Sequence, residues 1–511
     1  MKRNPQAKIK SLKELALILA KLRKSGKKIV HCHGCFDLLH PGHLKHFQAA
    51  RNKGDVLVVT LTKDEYVNKG PGRPVFNHHL RAESIAALEC VDYVAINEWP
   101  TAVETIKLLR PHFYVKGGDY FDRGKDLSGN IYEEEAAVKS VGGIVHFTDE
   151  VSFSSTSLIN AFLSPYPQEA KAFLHGFKKK HPAHAVIERL KALSDLKVLV
   201  IGDVIIDEYH YCAGMGKSAK DDIIATKFLN DEIFAGGVLA AANHVAGFCK
   251  DVTLLTSIGT KNSYGSFIEG HLKPNIKRNF YLRKDVPTVV KRRFVEPAFL
   301  TKLFEICYLD DVTPMPEETE EKICAYLRSN LKRYDLVLVA DFGHGLVTPK
   351  MIKLLSEKAR FLAVNVQTNS ANLGYNLITK LHRADLICID EQELRLACHD
   401  KTSKLEHLVL DIIKRIHCDK AIITRGHKGS LVYAPREGFK ETPVFSKDVV
   451  DRIGAGDAFF AVAAPSACKK NPMEVVGFIG NAVGAMKVMI VGHRSSVEPA
   501  QLYQYISALL K

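Results

Sequence analysis

No run in this 511-residue chain is apolar enough, for long enough, to read as a membrane span. The most apolar late segment, Val475–Val491, is interrupted by Asn481 and Lys487 and reads as a buried helix. The patch after the basic start is short and helix-patterned, so no signal peptide is expected, and the cytoplasm is the expected compartment. Low-complexity sequence is missing as well. The eleven cysteines are scattered, as suits reduced thiols. Only Cys32 and Cys35 have CxxC spacing. No second pair follows to complete four ligands, which weighs against zinc or redox use.

What is present is a globular composition, 46% hydrophobic and 25% charged, in a chain too long for one ordinary core. The net charge of +14 is uneven: the first fifty residues hold eleven Lys/Arg against Glu14 and Asp37. A nucleic-acid surface would explain that excess. A solvated helix beside a site for anionic small molecules explains it more simply, so no nucleic-acid partner is expected.

The stretch that organises the first part is GCFDLLHPGH, Gly34 to His43. It places a strand (Lys28–His31), a turn, and His40 and His43 at the start of a helix. Helix N-termini offer unpaired N–H groups to phosphate, Pro41 suits the first helical position, and Gly42 lets a ligand approach the backbone. Two imidazoles one turn apart share a face and can donate to phosphate oxygens. Such a grip needs no Walker lysine. Around it, helix Leu80–Leu88, strand Tyr93–Ile96, helix Ala102–Leu109, strand Phe113–Lys116, helix Tyr132–Ser140 and strand Ile144–Phe147 alternate. That pattern implies a doubly wound sheet with ligands at the strands' carboxyl ends. Ser11-Leu12-Lys13-Glu14 reads as a capping box for a first helix.

GCFDLLHPGH resembles the HxGH signature of cytidylyltransferase-like nucleotidyltransferases. VKGGDY (Val115–Tyr120) and SFSSTSLI (Ser152–Ile159) are similar to later motifs of the adenylyltransferase half of bifunctional ADP-heptose synthesis proteins. The resemblance implies a Rossmann-like domain over residues 1–165. Its nucleotide would lie on Gly34, Cys35, Phe36, His40, Gly42, His43, Lys116, Ser154, Ser155 and Thr156. Arg73 and Arg81 either clamp phosphates or pair with nearby acids.

Residues 166–195 read as a helical linker, and a second α/β domain starts at LKVLVIGDVIID (Leu196–Asp207). Between Asn279 and Leu309 the alternation suggests a small inserted sheet. The decisive motif is Gly454-Ala455-Gly456-Asp457, opening a helix. Its glycines permit a tight turn, its successive N–H groups make an anion hole, and Asp457 is placed to take a hydroxyl's proton.

This stretch resembles the second signature of PfkB/ribokinase carbohydrate kinases, supported by GDVIID, Gly236-Gly237, ITRGHKGS (Ile423–Ser430) and GHRSSVEP. The resemblance implies a ribokinase-like α/β domain with a small β-sheet lid over residues 196–511. It implies Asp457 as base, Gly454, Ala455 and Gly456 as anion hole, and Thr424, Gly426 and Gly429 near ATP's base. Asp207, Gly236 and Gly237 would bind sugar hydroxyls, and Lys291 and Arg293 a substrate phosphate. Glu393 would organise Mg²⁺ indirectly. Asp203 could instead cap the next turn. Ala240 stands where the family carries an Asn, Asp390-Glu391-Gln392-Glu393 replaces its N-x-x-E, and Arg452-Ile453 replace its small hydroxylic pair. The order of the two domains is the reverse of that usual in the bifunctional proteins.

The resulting expectation is a bifunctional nucleotide-sugar enzyme. It would phosphorylate a heptose 7-phosphate-type sugar with Mg·ATP, then join ATP to a sugar 1-phosphate. Alternatives are a CTP-using transferase for another sugar or polyol phosphate, or a protein with one inactive domain in a binding role. A homodimer through the kinase lid is expected by analogy only.

Overall fold

The computed structural model describes residues 4–117, 130–148, 166, 168–310, 312–446 and 448–511. The chain divides into two compact units, Met1–Tyr166 with Tyr503–Lys511, and Pro167–Leu502.

In the first unit, strands β1 (Ile29–Gly34), β2 (Val56–Thr62), β3 (Tyr93–Asn97), β4 (Phe113–Gly117) and β5 (Ile144–Thr148) form a sheet of order β3-β2-β1-β4-β5. Every pairing is parallel. The near-continuous burial of β1 and β2 is what a sheet covered on both faces demands. The chain leaves β1 for β2 on one side and returns to β4 on the other. The crevice between β1 and β4 is therefore the switch point where ligands bind in such sheets. Strand β1 runs three residues beyond the expected His31 because Cys32, His33 and Gly34 still pair with β2. The first helix, Leu12–Lys24, is capped by Ser11, whose hydroxyl accepts from Glu14 N–H at 3.2 Å. Glu14 turns to Lys10 at 2.9 Å, so the ion pair replaces the expected reciprocal cap. Leu12, Leu15 and Leu19 bury one face of this helix, each stabilising by about 1.5–3 kcal/mol.

The second unit carries β6 (Lys197–Gly202), β7 (Val204–Lys217), β8 (Ile224–Gly237), β9 (Asp251–Lys261), β10 (Ile276–Pro287), β11 (Val290–Glu296) and β12 (Thr301–Tyr308). After them come β13 (Leu336–Asp341), β14 (Leu362–Val366), β15 (Ala384–Asp390), β16 (Cys418–Thr424), β17 (Ser430–Ala434) and β18 (Gly438–Thr442). The main sheet has the order β10-β9-β6-β13-β14-β15-β16-β17-β18, parallel up to β16. A separate small sheet has the order β12-β11-β7-β8. Two features differ from the sequence reading. The long β7–β8 hairpin was not anticipated, and Ile276–Pro287 joins the main sheet as its edge rather than the small one.

The helices Gln168–Lys180 and Ala183–Lys191, in the stretch read as a linker, bury Leu174, Phe177, Val186, Ile187 and Leu190. Phe177 stacks on Phe478 at 4.3 Å. Helix Ala455–Cys468 is buried nearly all round and lies close against helix Met473–Lys487. A Cβ on Gly480 would come within 2.3 Å of the Phe459 ring, so glycine sets that separation.

Candidate active sites

In the first unit, β1 ends at Gly34 and the chain turns through Phe36, a residue with φ of +45°. Phe36 folds its ring back over Gly34, where a Cβ would meet it at 3.0 Å. His40 caps helix Pro41–Arg51, its Nδ1 accepting from Gly42 N–H at 3.1 Å. One turn on, His43 stacks against His40 with ring centroids 3.9 Å apart, and the Phe36 ring meets it edge-on. Burial lowers both imidazoles' pKa; that of His43, with His40, His46 and Lys69 adding positive charge nearby, falls to about 3. The pair is therefore neutral near pH 7, and His43 keeps a hydrogen bond to the Leu38 backbone that works against its burial.

Lys116, at the end of β4, is buried and ion-paired to Glu134 at 2.8 Å. It thus lies on the same rim of the crevice as Gly34. Arg73 and Arg81 pair with nearby acids. Arg73 pairs with buried Asp37 at 3.3 Å, and Arg81 holds Asp64 and the carbonyls of Cys35, Phe76 and Thr62. Burial raises the Cys32 and Cys35 thiols, and Cys32 faces the core from β1. Ser154, Ser155, Thr156 and the end of the VKGGDY motif lie outside the described residues.

In the second unit, the carboxyl ends of β6, β13, β14, β15 and β16 share one rim. Asp457 sits in the first turn of helix Ala455–Cys468, only 8% exposed, and accepts from Gln367 Nε2, just past β14. Burial outweighs that contact and, helped by Asp207, pushes its pKa up to about 6, while Lys487 and Lys291 hold it down. Gly454 adopts φ of +74°, and a Cβ there would lie 2.2 Å from the His493 ring, so glycine alone fits. Asp207 is salt-bridged to Arg293 and lies 3.5 Å from His493 Nε2. A Cβ on Gly236 would fall 2.0 Å from Asp207 Oδ2, and Gly237 takes φ of +54°. Arg293 also binds Glu305 at 2.7 Å. Lys291, beside Asp207 in the β7–β11 register, makes no ion pair among the described residues.

Glu393 closes a capping box: its carboxylate accepts from Asp390 N–H at 2.8 Å and Thr368 N–H at 2.9 Å. Burial, with Asp390 beside it, pushes its pKa up to about 8. Thr424 ends β16, and Gly426 and Gly429 both take positive φ in the hairpin to β17. Asp203 does not cap the turn that follows it; it accepts from the N–H groups of Phe342, His344 and Leu346 in the loop after β13. Asn243 secures the chain at His271 and Lys273.

Gln367, His493, Asp451 and Lys487 were missed in the sequence. For Lys487 a signal existed: a lone cation in an apolar helix must find partners. Among the described residues no group of three or more His, Cys, Asp or Glu side chains could hold a metal. This donor set fits a Mg²⁺ carried in on nucleotide phosphates and water, not one held by the protein alone.

Comparison with known proteins agrees with this geometry. Residues 195–500 match the family described as pfkB family carbohydrate kinase, and residues 31–161 match Cytidylyltransferase-like. The chain is 48% identical over 145 residues to Bifunctional protein HldE of Aliarcobacter butzleri, covering 28% of this chain and 30% of that one. With Bifunctional protein HldE of Trichlorobacter lovleyi it shares 41% over 173 residues, 33% of each. The chain thus spans about a third of the length of these curated relatives. Phosphofructokinase-2 from Escherichia coli, solved with substrates and products, superposes with a TM-score of 0.50 at 12% identity, covering 61% of this chain and 100% of that one. The fold is α/β, a Rossmann-like unit followed by a ribokinase-like one.

Proposed function

Because the chain belongs to the pfkB family of carbohydrate kinases over more than half its length, we propose that its second unit moves the γ-phosphoryl group of ATP onto a sugar-phosphate hydroxyl. The observation that carries this reading is Asp457, a buried carboxylate with its pKa near 6 beside a glycine turn at a helix N-terminus. The hydroxyl oxygen attacks the γ-phosphorus, its proton passes to Asp457, and the bond to ADP breaks. Amides of Gly454 and Gly456 receive the charge that develops, while that of Ala455 donates within the turn to Arg452 O at 3.3 Å. Asp207, over Gly236 and Gly237, orients the sugar; Lys291 receives its phosphate, with Arg293 behind Asp207. Thr424, Gly426 and Gly429 lie against the nucleotide. Mg²⁺ brought with the ATP phosphates would supply charge neutralisation, and Glu393 holds the Thr368 and Asp390 backbone through its capping box.

The first unit, on this reading, joins a sugar 1-phosphate to ATP. The sugar's phosphate oxygen attacks the α-phosphorus, the α–β anhydride bond breaks and pyrophosphate leaves. His40 and His43 lie against the reacting phosphates, and the Lys116–Glu134 ion pair stands at the rim beside them. The likeness of VKGGDY and SFSSTSLI to motifs of ADP-heptose synthesis proteins supports heptose 7-phosphate and heptose 1-phosphate as the substrates, with ADP-heptose as product. A separate phosphatase must then act between the steps. The grip contacts phosphates and not bases, so CTP is the competing nucleotide.

No helix among the described residues is long and apolar enough to cross a membrane, and a cytoplasmic site of action is part of the proposal. So is a homodimer through the small sheet, which leaves Ile224, Phe228, Leu303, Phe304 and Ile306 exposed. The test uses the full chain with heptose 7-phosphate, heptose 1-phosphate, ATP and CTP. Asp457→Asn should abolish ADP formation and spare pyrophosphate release; His43→Ala should do the reverse. Release with CTP but not ATP, or a parent chain inactive on both sugars, overturns the assignment.

A further inference from the structure

A fully buried ammonium is costly unless its donors are taken. Lys487 ends helix Met473–Lys487 with 0% exposure, and its Nζ donates to two backbone carbonyls, Ile453 O at 2.9 Å and Gly492 O at 2.5 Å. These carbonyls belong to the two loops that meet at the glycine turn. Ile453 immediately precedes Gly454. Gly492 precedes His493, whose ring fills the space beside Gly454. Asp451 ties the same loops from the other side, accepting from Ile453 N–H at 3.1 Å and Gly492 N–H at 2.8 Å. The Tyr209 hydroxyl and the Lys302 ammonium satisfy the rest of its carboxylate.

Carbonyls crowding a turn that must accept a triphosphate would repel it. The ammonium takes up their lone pairs and sets a positive charge behind the turn, adding to the dipole of helix Ala455–Cys468. Burial draws the Lys487 pKa down to about 8, with Asp451, Asp457 and Asp207 opposing, so it is charged at neutral pH.

We propose that Lys487 is a positioning residue for phosphoryl transfer, its ammonium joining the Ile453 and Gly492 carbonyls and so holding the Gly454–Gly456 turn in its anion-binding shape. This rests on the kinase reading above. A mere filler of space would be replaceable by an apolar side chain of similar length.

The experiment measures ADP formation by the full chain from ATP and heptose 7-phosphate. Lys487→Met should lower kcat about 100-fold while KM for the sugar phosphate stays within about threefold, and Lys487→Arg should keep about a tenth of kcat or more. A methionine chain within about threefold of the parent kcat overturns the proposal. So does equal collapse in the methionine and arginine chains, since charge and donors would then be irrelevant. Should the methionine chain lack native circular dichroism, Lys487→Leu is measured in its place against the same limits. A parent chain that makes no ADP removes the kinase reading and the clamp together, whereas a fast methionine chain removes the clamp alone.

Discussion

A carboxylate in the first turn of a helix ordinarily has its pKa pulled down by the helix dipole. Asp457 goes the other way because burial dominates, and the Gln367 contact only moderates the rise to about 6. Below that pH the carboxyl is protonated and cannot accept the hydroxyl's proton. Kinase kcat should therefore fall as pH drops through about 6, level off above it, and fall again as Lys487 loses its proton near 8. Gln367→Leu removes a contact that lowers this pKa, so the acid limb should move to higher pH. A limb that stays in place contradicts the assignment. The paired histidines of the first unit differ. His43, pushed down to about 3, is already neutral where an ordinary imidazole near 6.5 would titrate. His43→Gln, which keeps a neutral N–H donor, should retain more pyrophosphate release than His43→Ala. An acid limb near 6.5 that disappears in the glutamine chain would show a charged imidazole instead.

Among the elements, the candidate site of the first unit lies where strand order reverses, between β1 and β4, whereas that of the second spreads along the carboxyl ends of β14, β15 and β16, beside Gln367, Glu393 and Thr424. Short stretches specify these edges, which is why they were readable: Gly34 to His43 and Gly454 to Asp457 each give strand or loop, glycine turn and helix start within ten residues. Single-strand patterns did not reveal the β7–β8 hairpin. Its strands pass from buried residues at the main body to exposed ones at the tip, so neither continuous burial nor clean alternation holds throughout. Strand β10 misled for a related reason, since an edge strand of a large sheet is as half-exposed as one in a small sheet. Gly236 lies where this hairpin returns, its missing Cβ leaving room for the Asp207 carboxylate. Gly236→Ala should displace that carboxylate and raise KM for the sugar phosphate about tenfold or more, with KM for ATP little changed. Equal effects on both substrates would mean the whole site had shifted.

At the scale of the molecule, proton uptake distinguishes the two units. The first buries His31 and half-buries His43 and His46, with pKa values of about 3, 3 and 4. Unfolding returns them to about 6.5, so the unfolded state binds more protons below that pH and stability falls as pH falls. At pH 5.5 this amounts to roughly 1.4 kcal/mol per histidine. Asp64, lowered by Arg81 and His78 despite its burial, adds a loss in the same direction at lower pH. The second unit has His244 and His493 at about 3 and 4, but Glu393 at about 8 and Asp457 at about 6 oppose them. Those two carboxyls gain protons in the folded state before the unfolded one does, so they add stability as pH falls. The first unit should therefore be the more acid-labile. Trp99, the single tryptophan of the chain, lies in that unit and reports it alone. Between pH 7.5 and 5.5 the midpoint followed by tryptophan emission should drop further than the remaining calorimetric transition. The opposite order would mean that the buried imidazoles of the first unit are protonated in its folded state.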